Sequence, residues 1–412
     1  MQETRAIAYK REWIILGVAL LLALAVWFLL KGPRNSVGAH NPSPDSAAAS
    51  TSLQLSPADL ARRAAIAALG PIETRKGTNA ASLYTQASAL YAQLTDAEKQ
   101  ILDQWRDKPD PQTAAALYSK IQPIMDLLRR ARKADYADWS LDDWWKNPAA
   151  ATPELNAIRY LSFLAAWDSN YRFQSDPQGA INDLAAMDAL GRNANPSAIG
   201  LLLGNSVYSA GIYILAQNAA AIPATQNSYL DEILNPTLIQ QNFQRDLNGE
   251  AASLQSWFDS YSDPSTRSQA MAVYGTGSHK FMPEDMVSGL KWMAQTDQAL
   301  AVSLSEPDAQ YQQWLSQAQA QSASNPYLSA LGALRSIAAT RDNTQALLVE
   351  NTMLSAGIAL EQNNQPQFQS ITDPATGHPF TYTQTPTGFQ LTSAFKRNGK
   401  PVSLTFTTPA PQ

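Results

Sequence analysis

The chain has 412 residues, 45% of them apolar, with a formal net charge of −5. Charged residues make up only 16%, against roughly 25% in ordinary soluble domains. They form no extended basic face, so no nucleic-acid partner is expected. There is no cysteine, which excludes disulfides, thiolate zinc sites, iron–sulfur ligation and a cysteine nucleophile.

Residues 1–12 form a short, basic N-terminus. Trp13 to Leu30 is an uncharged run of 18 residues. As a helix it is about 27 Å long, close to the hydrocarbon thickness of a bilayer. Trp13 and Trp27 stand near its ends, where indole rings favour the interface. Arg5, Lys10 and Arg11 precede it; Lys31 and Arg34 follow. That bias predicts the N-terminus in the cytoplasm and the rest outside: a single-pass protein of the inner membrane with a periplasmic body. The run is longer than a signal-peptide core, and Lys31-Gly-Pro-Arg34 separates it from the loose Val37-Gly38-Ala39 cleavage pattern, so an uncleaved anchor is expected. Residues 31–56, rich in Pro, Ser and Ala, read as a flexible tether.

Residues 57–363 read as a helical domain. Ser56-Pro57 starts a segment and Gly70-Pro71 stops it. Thr95-Asp-Ala-Glu98 has the capping-box spacing. Asp176-Pro177, Asn195-Pro196, Asn235-Pro236, Asp263-Pro264 and Asn325-Pro326 repeat one device, a cap residue before proline at the first helical position. Between them apolar residues recur at helical spacing: Ile181, Leu184, Met187 and Leu190; then Ile199, Leu202, Leu203, Val207 and Tyr208; then Leu238, Phe243, Leu247, Leu254 and Phe258. Short connections predict antiparallel helical hairpins packed side by side. No fixed-period repeat stands out.

Residues 364–412 change pattern. Asp373, Pro374 and Gly377 read as a structural turn. Three stretches then alternate apolar with polar residues, around Phe380, around Phe389 and from Val402 to Phe406. Thr387-Gly388 and Asn398-Gly399 supply turns. The fold class expected is therefore mainly α: a transmembrane helix, an array of helical hairpins and a small three-stranded antiparallel meander packed on it.

Few residues point to chemistry. His40, His279 and His378 sit in a tether or in turns, with no second histidine at ligand spacing, so no metal is expected. Tyr274-Gly275-Thr-Gly277-Ser-His279 is glycine-rich but lacks the third glycine of a dinucleotide fingerprint and the Gly-Lys-Ser/Thr of a P-loop. It is the candidate mobile or ligand-contacting loop, spanning Gly275 to Pro283. From Asp135 to Trp145 acids alternate with tryptophans. Trp139, Asp142, Asp143, Trp144 and Trp145 are a candidate surface for a glycan, a peptide or a basic partner, with hydrolysis by the acid pair a further variant. The competing expectation is that these rings fasten a loop to the core. Arg129-Arg130-Ala-Arg132-Lys133 closes a helix at its carbonyl end, and Asp135 and Asp138 follow at once, so local pairing is expected there. There is no Gly-x-Ser-x-Gly elbow. No catalytic residue and no cofactor are expected.

The runs Ala134-Asp135-Tyr-Ala-Asp138-Trp139-Ser-Leu141-Asp142, Pro153-Glu-Leu155, Arg159-Tyr-Leu161 and Gly179-Ala-Ile-Asn-Asp183-Leu-Ala-Ala-Met187, then Leu190-Gly191-Arg192 and Ile199-Gly200, resemble a group of uncharacterised single-pass bacterial membrane proteins of planctomycete and verrucomicrobium type. These share one N-terminal span, a helical body and a C-terminal Asp-Pro-x-x-Gly-x-Pro-Phe-x-Tyr segment, here Asp373, Pro374, Gly377, Pro379, Phe380 and Tyr382. The resemblance implies a bacterial envelope location and no particular activity. The same C-terminal segment resembles the end of type II secretion pseudopilins, which implies an accessory role in a secretion or pilus-like system. The likeness stops there: Glu12 lies outside the apolar run, no prepilin site precedes it, and Asn398-Gly399-Lys400-Pro401 stands where an acidic calcium-binding tail would be. The reading that joins these features is an envelope scaffold or interaction protein with an unidentified envelope protein as partner.

Overall fold

In the computed structural model the described residues are 77–107, 111–135, 137–139, 153–194, 197–224, 228–262, 283–305, 308–331 and 333–407. The run from Trp13 to Leu30 expected as the anchor, the stretch expected as the tether and the first expected helix start at Ser56-Pro57 lie outside them, as do Asp263-Pro264 and the loop of Gly275, Gly277 and His279.

Capping chemistry sets many of the helix starts. Helix α1 (Ala80–Ala92) begins where Asn79 Oδ1 accepts from Ala81 N. Helix α2 (Asp96–Asp103) has the full capping box of Thr95 and Glu98. Then come α3 (Pro111–Arg132), α4 (Pro153–Arg172) and α5 (Pro177–Arg192), the last capped by Asp176 onto Gly179 N. The start of α6 (Ala198–Gln217) differs from the Asn195-Pro196 expectation. Ser197 is the cap, its Oγ accepting from Gly200 N, because a hydroxyl one residue outside the first turn reaches that N–H. A short 3-10 turn (Ala219–Ala221) and α7 (Ser228–Ile233) lead to α8 (Pro236–Ser262), where Asn235 Oδ1 accepts from Thr237 N. Helices α9 (Pro283–Val302), α10 (Asp308–Ala323), α11 (Pro326–Leu331) and α12 (Ala333–Glu361) follow, and α13 (Gln365–Ser370) ends the helical part.

Sequential pairs α4–α5, α5–α6 and α8–α9 do pack together. Long-range pairs close the array: α1 on α3, α3 on α5, and α6 on α12. Helix α5 lies inside it, with every residue from Ala180 to Gly191 buried except Asn182. It therefore has no solvent face opposite its apolar stripe. Its close approach to α6 needs glycine, since a Cβ on Gly204 would lie 3.0 Å from Gly191 O. The stripe expected on α6 is offset: Ile199 is 48% exposed and Leu201 is buried instead. Leu201 joins Phe243, Leu247, Leu300, Ala301 and Tyr311 in a small second core under α8, α9 and α10.

Among the described helices, α6 is the one long and apolar enough to cross a membrane. It touches α4, α5, α8, α12 and the sheet. Its polar residues are spent on these neighbours: Asn205 Nδ2 donates to Thr344 Oγ1 at 2.9 Å, and Ser209 Oγ to Glu350 Oε2 at 2.9 Å.

The sheet is antiparallel, in the order β1 (Thr381–Thr385), β2 (Gly388–Arg397), β3 (Lys400–Thr407). Asn398 and Gly399 both have positive φ, +53° and +74°, as a tight hairpin turn requires. In the first hairpin the loop is Pro386-Thr387, and Gly388 already pairs with Thr385. Phe389, Leu391, Val402, Leu404 and Phe406 are buried, and β2 and β3 lie on α12. Gly357 of α12 makes this possible, because Phe406 occupies the space where a Cβ would stand.

Candidate functional site

The charged residues that matter chemically are inside the helical array, in two adjoining polar clusters on either side of α5. On one side Asp183 is fully buried and accepts from Arg129 Nε of α3 at 2.6 Å and Arg172 Nη1 of α4 at 2.8 Å. Asp168 of α4, also fully buried, takes Gln122 Nε2–H at 2.8 Å and lies 3.7 Å from Arg129 Nη2. Burial, and then the neighbouring Asp183 carboxylate, push the Asp168 carboxyl well above its ordinary pKa; Arg129 opposes this without cancelling it. Arg129 also bridges to Asp126 at 2.7 Å, and Arg172 to Asp176, the cap of α5.

On the other side Asp188 lies 2.8 Å from Arg192 Nη1, one turn along α5. Arg192 Nη2 and Arg132 Nη2 both meet Glu232 of α7, the first at 2.5 Å. Burial pushes Asp188 up to about 7 against the pull of Arg192. Glu232 is held below its ordinary value, the two arginines outweighing its desolvation. A cavity of about 20 Å³ opens beside Asp188 and Arg192, lined also by Asn205 and Tyr208 of α6 and Asn242 and Asp246 of α8. That is room for about one water. Asp246 is buried and likewise pushed up to about 7 by desolvation, with Arg245 as its partner at 2.6 Å. Across the cavity wall Asn351 of α12 donates to Ile233 O at 2.9 Å and to Tyr208 Oη at 3.2 Å. A third acidic pair, Glu250 of α8 and Asp297 of α9, is also pushed up by burial, and Glu250 accepts from Ala198 N at the start of α6.

These clusters differ from what the sequence suggested for the basic run 129–133. Arg129 and Arg132 reach across helices to Asp183, Asp168 and Glu232. Asp135 instead accepts Thr78 N–H at 2.7 Å. The reason is position: Arg129 and Arg132 lie one turn apart on the same face of α3, and that face meets α5 and α7. Spacing along one helix could not identify partners 39 to 100 residues away.

Of the tryptophan and acid segment, Trp139 is described and Asp142, Asp143, Trp144 and Trp145 lie outside the described residues. Trp139 stacks on Tyr84 of α1 with ring centres 5.5 Å apart, and its Nε1–H donates to Asn193 O at 2.7 Å. Asn79 clips the same stretch, donating to Asp138 O and accepting from Asp138 N at 2.8 and 2.9 Å. So Asp138 and Trp139 are fastened to the core, the indole with one face stacked and its N–H already used.

Asp373 organises the start of the sheet. Its backbone oxygen accepts from Gly377 N at 2.8 Å, Gly377 having φ +73°, while its carboxylate accepts from Ala375 N, Thr376 Oγ1 and Ser393 Oγ. Ser393 lies in the register irregularity of β2 between Thr392 and Lys396, which turns it toward Asp373. His378 is exposed beside this turn. The Ser-x-x-Lys spacing occurs twice, at Ser288 to Lys291 and Ser393 to Lys396. Both serines serve the fold, Ser288 Oγ accepting from Asn325 Nδ2 at 2.9 Å and Ser393 bonding to Asp373. Among the described residues no group of three His, Cys, Asp or Glu is placed to hold a metal ion. No family model, no curated protein and no solved structure matches this chain.

Proposed function

We propose that this chain is a single-span bacterial membrane protein whose helical body acts as an envelope scaffold, held outside the cytoplasmic membrane and presented to a protein partner. The observation that carries the reading is the uncharged run from Trp13 to Leu30, followed by a Pro/Ser/Ala tether and then by a large helical body. Helix α6 passes the same length and hydropathy test. Its bonds to α12 and the sheet support its place inside the body, which leaves 13–30 as the span. The scaffold role is supported by how the polar groups are spent: Arg129, Arg172, Arg192 and Arg132 tie α3, α4, α5 and α7 to one another. Such cross-helix bonding suits a body that holds a shape. The resemblance to single-pass envelope proteins, carried by the motifs quoted above, supports the same compartment.

Three measurements test this. The full chain should fractionate with membranes after carbonate extraction, and a reporter fused after Gln412 should be active only outside the cytoplasm. A soluble chain rejects the anchor, and a reporter active only inside rejects the placement of the body outside the cytoplasm. Purification in mild detergent should co-isolate a stoichiometric envelope protein; a chain that repeatedly returns alone rejects the scaffold role.

A further inference from the structure

The small sheet has two edges, and they are treated differently. The outer edge of β3 is covered: Gln217 of α6 donates Nε2–H to Thr405 O at 2.9 Å and accepts from Thr407 Oγ1 at 2.7 Å. Strand β1 pairs with β2, and among the described residues no other strand lies against it. Natural proteins blunt such an edge with a charge, a proline or a bulge. Thr381-Tyr-Thr-Gln-Thr385 carries no charge and no proline, and its register with β2 is unbroken. Its first four residues are exposed.

The apolar face of the sheet also stops short at this edge. Phe406, Phe389 and Tyr382 stack in a ladder across β3, β2 and β1, with ring centres 4.7 and 5.5 Å apart. Phe406 is fully buried and Phe389 nearly so, whereas Tyr382 is 47% exposed. The free side of the Tyr382 ring is where a further strand would add.

We propose that β1 pairs antiparallel with β1 of a second copy of this chain, joining two three-stranded sheets into one of six strands. The argument for a second copy is self-complementarity. About a two-fold axis at Thr383, Tyr382 faces the partner's Gln384, and Thr381 faces the partner's Thr385. Tyr382 Oη donates to Gln384 Oε1 within one copy, and pairing exchanges that bond for the same bond across the axis. The two Tyr382 rings become diagonal neighbours about 7–8 Å apart, within ring reach, which continues the ladder into the second sheet. An uncharged strand places no like charges opposite one another. One patch used twice closes the assembly at a dimer. Five paired residues bury less than the roughly 1,200 Å² of a stable interface, so the dimer is weak and concentration-dependent. The inference stands on the sheet edge and does not depend on the anchor.

The test uses the full chain in detergent. With no native cysteine, a single introduced thiol reports alone. Thr383→Cys places two thiols across the axis, and Ser316→Cys puts one on the exposed surface of α10 as a control. The expected result is a covalent dimer of T383C forming about tenfold faster than that of S316C under mild oxidation, since geometry and not exposure limits the bond. Wild-type mass by sedimentation should rise from monomer toward dimer with concentration. Thr383→Lys should remain a monomer with an unchanged circular dichroism spectrum. Equal cross-linking rates, a wild type that is monomeric throughout, or a dimer that survives in T383K overturns the proposal. If the edge is covered instead by this chain's own tether or by a different protein, the wild type is monomeric and the proposal fails in the same measurement.

Discussion

Gly357 offers the sharpest test of how the sheet sits on the helices. A Cβ built there would lie 2.0, 2.1 and 2.6 Å from three carbons of the Phe406 ring, where carbon atoms ordinarily approach to about 3.5–4.0 Å. The ring has little room to retreat, being fully buried and stacked on Phe389 at 4.7 Å. Gly357→Ala therefore forces one methyl into a filled core, at a cost of about 1–3 kcal/mol. The clash is severe, which places the cost at the upper end. Alanine recovers about 1 kcal/mol of helix propensity, leaving a net loss of about 1–2 kcal/mol. If the ring is expelled instead, its burial is lost, about 1.5–3 kcal/mol. Gly211 of α6 is the control: its Cβ would meet only the flexible end of Met187, at 3.3 Å. There the propensity gain should prevail, and Gly211→Ala should range from neutral to about 1 kcal/mol stabilising. Denaturant unfolding of the full chain in detergent, followed by circular dichroism, separates the two. Hydrogen exchange at the Phe389 and Phe406 amides should rise in G357A alone. A G357A variant as stable as wild type, with unchanged exchange, refutes the packing of Phe406 on α12.

Asp183→Asn removes the charge on which Arg129 and Arg172 converge, and should destabilise by about 2–4 kcal/mol, discounted from the usual buried-pair range because both arginines keep some solvent; a loss under about 1 kcal/mol would show that Asp126, Asp168 and Asp176 compensate. Asp188 titrates near 7 in the fold against an ordinary 3.8. Its folded form binds the extra proton between those values, so its penalty grows as pH rises from about 4 to about 7 and is constant above. Asp188→Asn should accordingly gain about 2 kcal/mol relative to wild type between pH 5 and pH 8, measured as the difference of their unfolding free energies; a pH-independent difference rules out the raised value. Thr95→Ala removes half of the capping box on α2 and should cost about 1 kcal/mol, with faster amide exchange confined to residues 96–99.

Local chemistry was legible where it is local. The caps at Asp176, Asn235 and Asn325, the box at Thr95 and the Asn398-Gly399 turn all depend on groups within four residues of each other. Periodicity marked α5 but misjudged its surroundings, because Ile181, Leu184, Met187 and Leu190 look the same whether the opposite face meets water or other helices. Asp183 and Asp188 carried the missing signal. Two acids and an arginine interleaved with that stripe leave α5 either a half-exposed helix or a buried one with paired charges, and α3, α4 and α7 supply the pairs. The Glu232 and Arg132 partnership spans 100 residues and has no sequence signature. Ser393 and Asp373 were likewise invisible as a pair, since it is the irregularity in β2 that brings them together.

The two polar clusters explain each other through α5. Asp183 points to α3 and α4, and Asp188, five residues on, points toward α6, α7 and α8. On the first side Asp183, Asp168, Asp176 and Asp126 share Arg129 and Arg172. Four carboxylates cannot all be neutralised by two cations, so the most buried acid without a direct arginine hydrogen bond, Asp168, is the one driven toward its neutral form. On the second side Arg192 is divided between Asp188 and Glu232. Glu232 also holds Arg132 and stays ionised, while Asp188 has Arg192 alone beside the cavity and titrates high. In each cluster the carboxylate with the poorer claim on an arginine takes the proton. Exchanging the claims should exchange the shifts: Glu232→Gln frees Arg192 for Asp188 and should lower the Asp188 pKa below 7, read by carboxyl chemical shifts, whereas an unchanged value would mean that desolvation alone sets it.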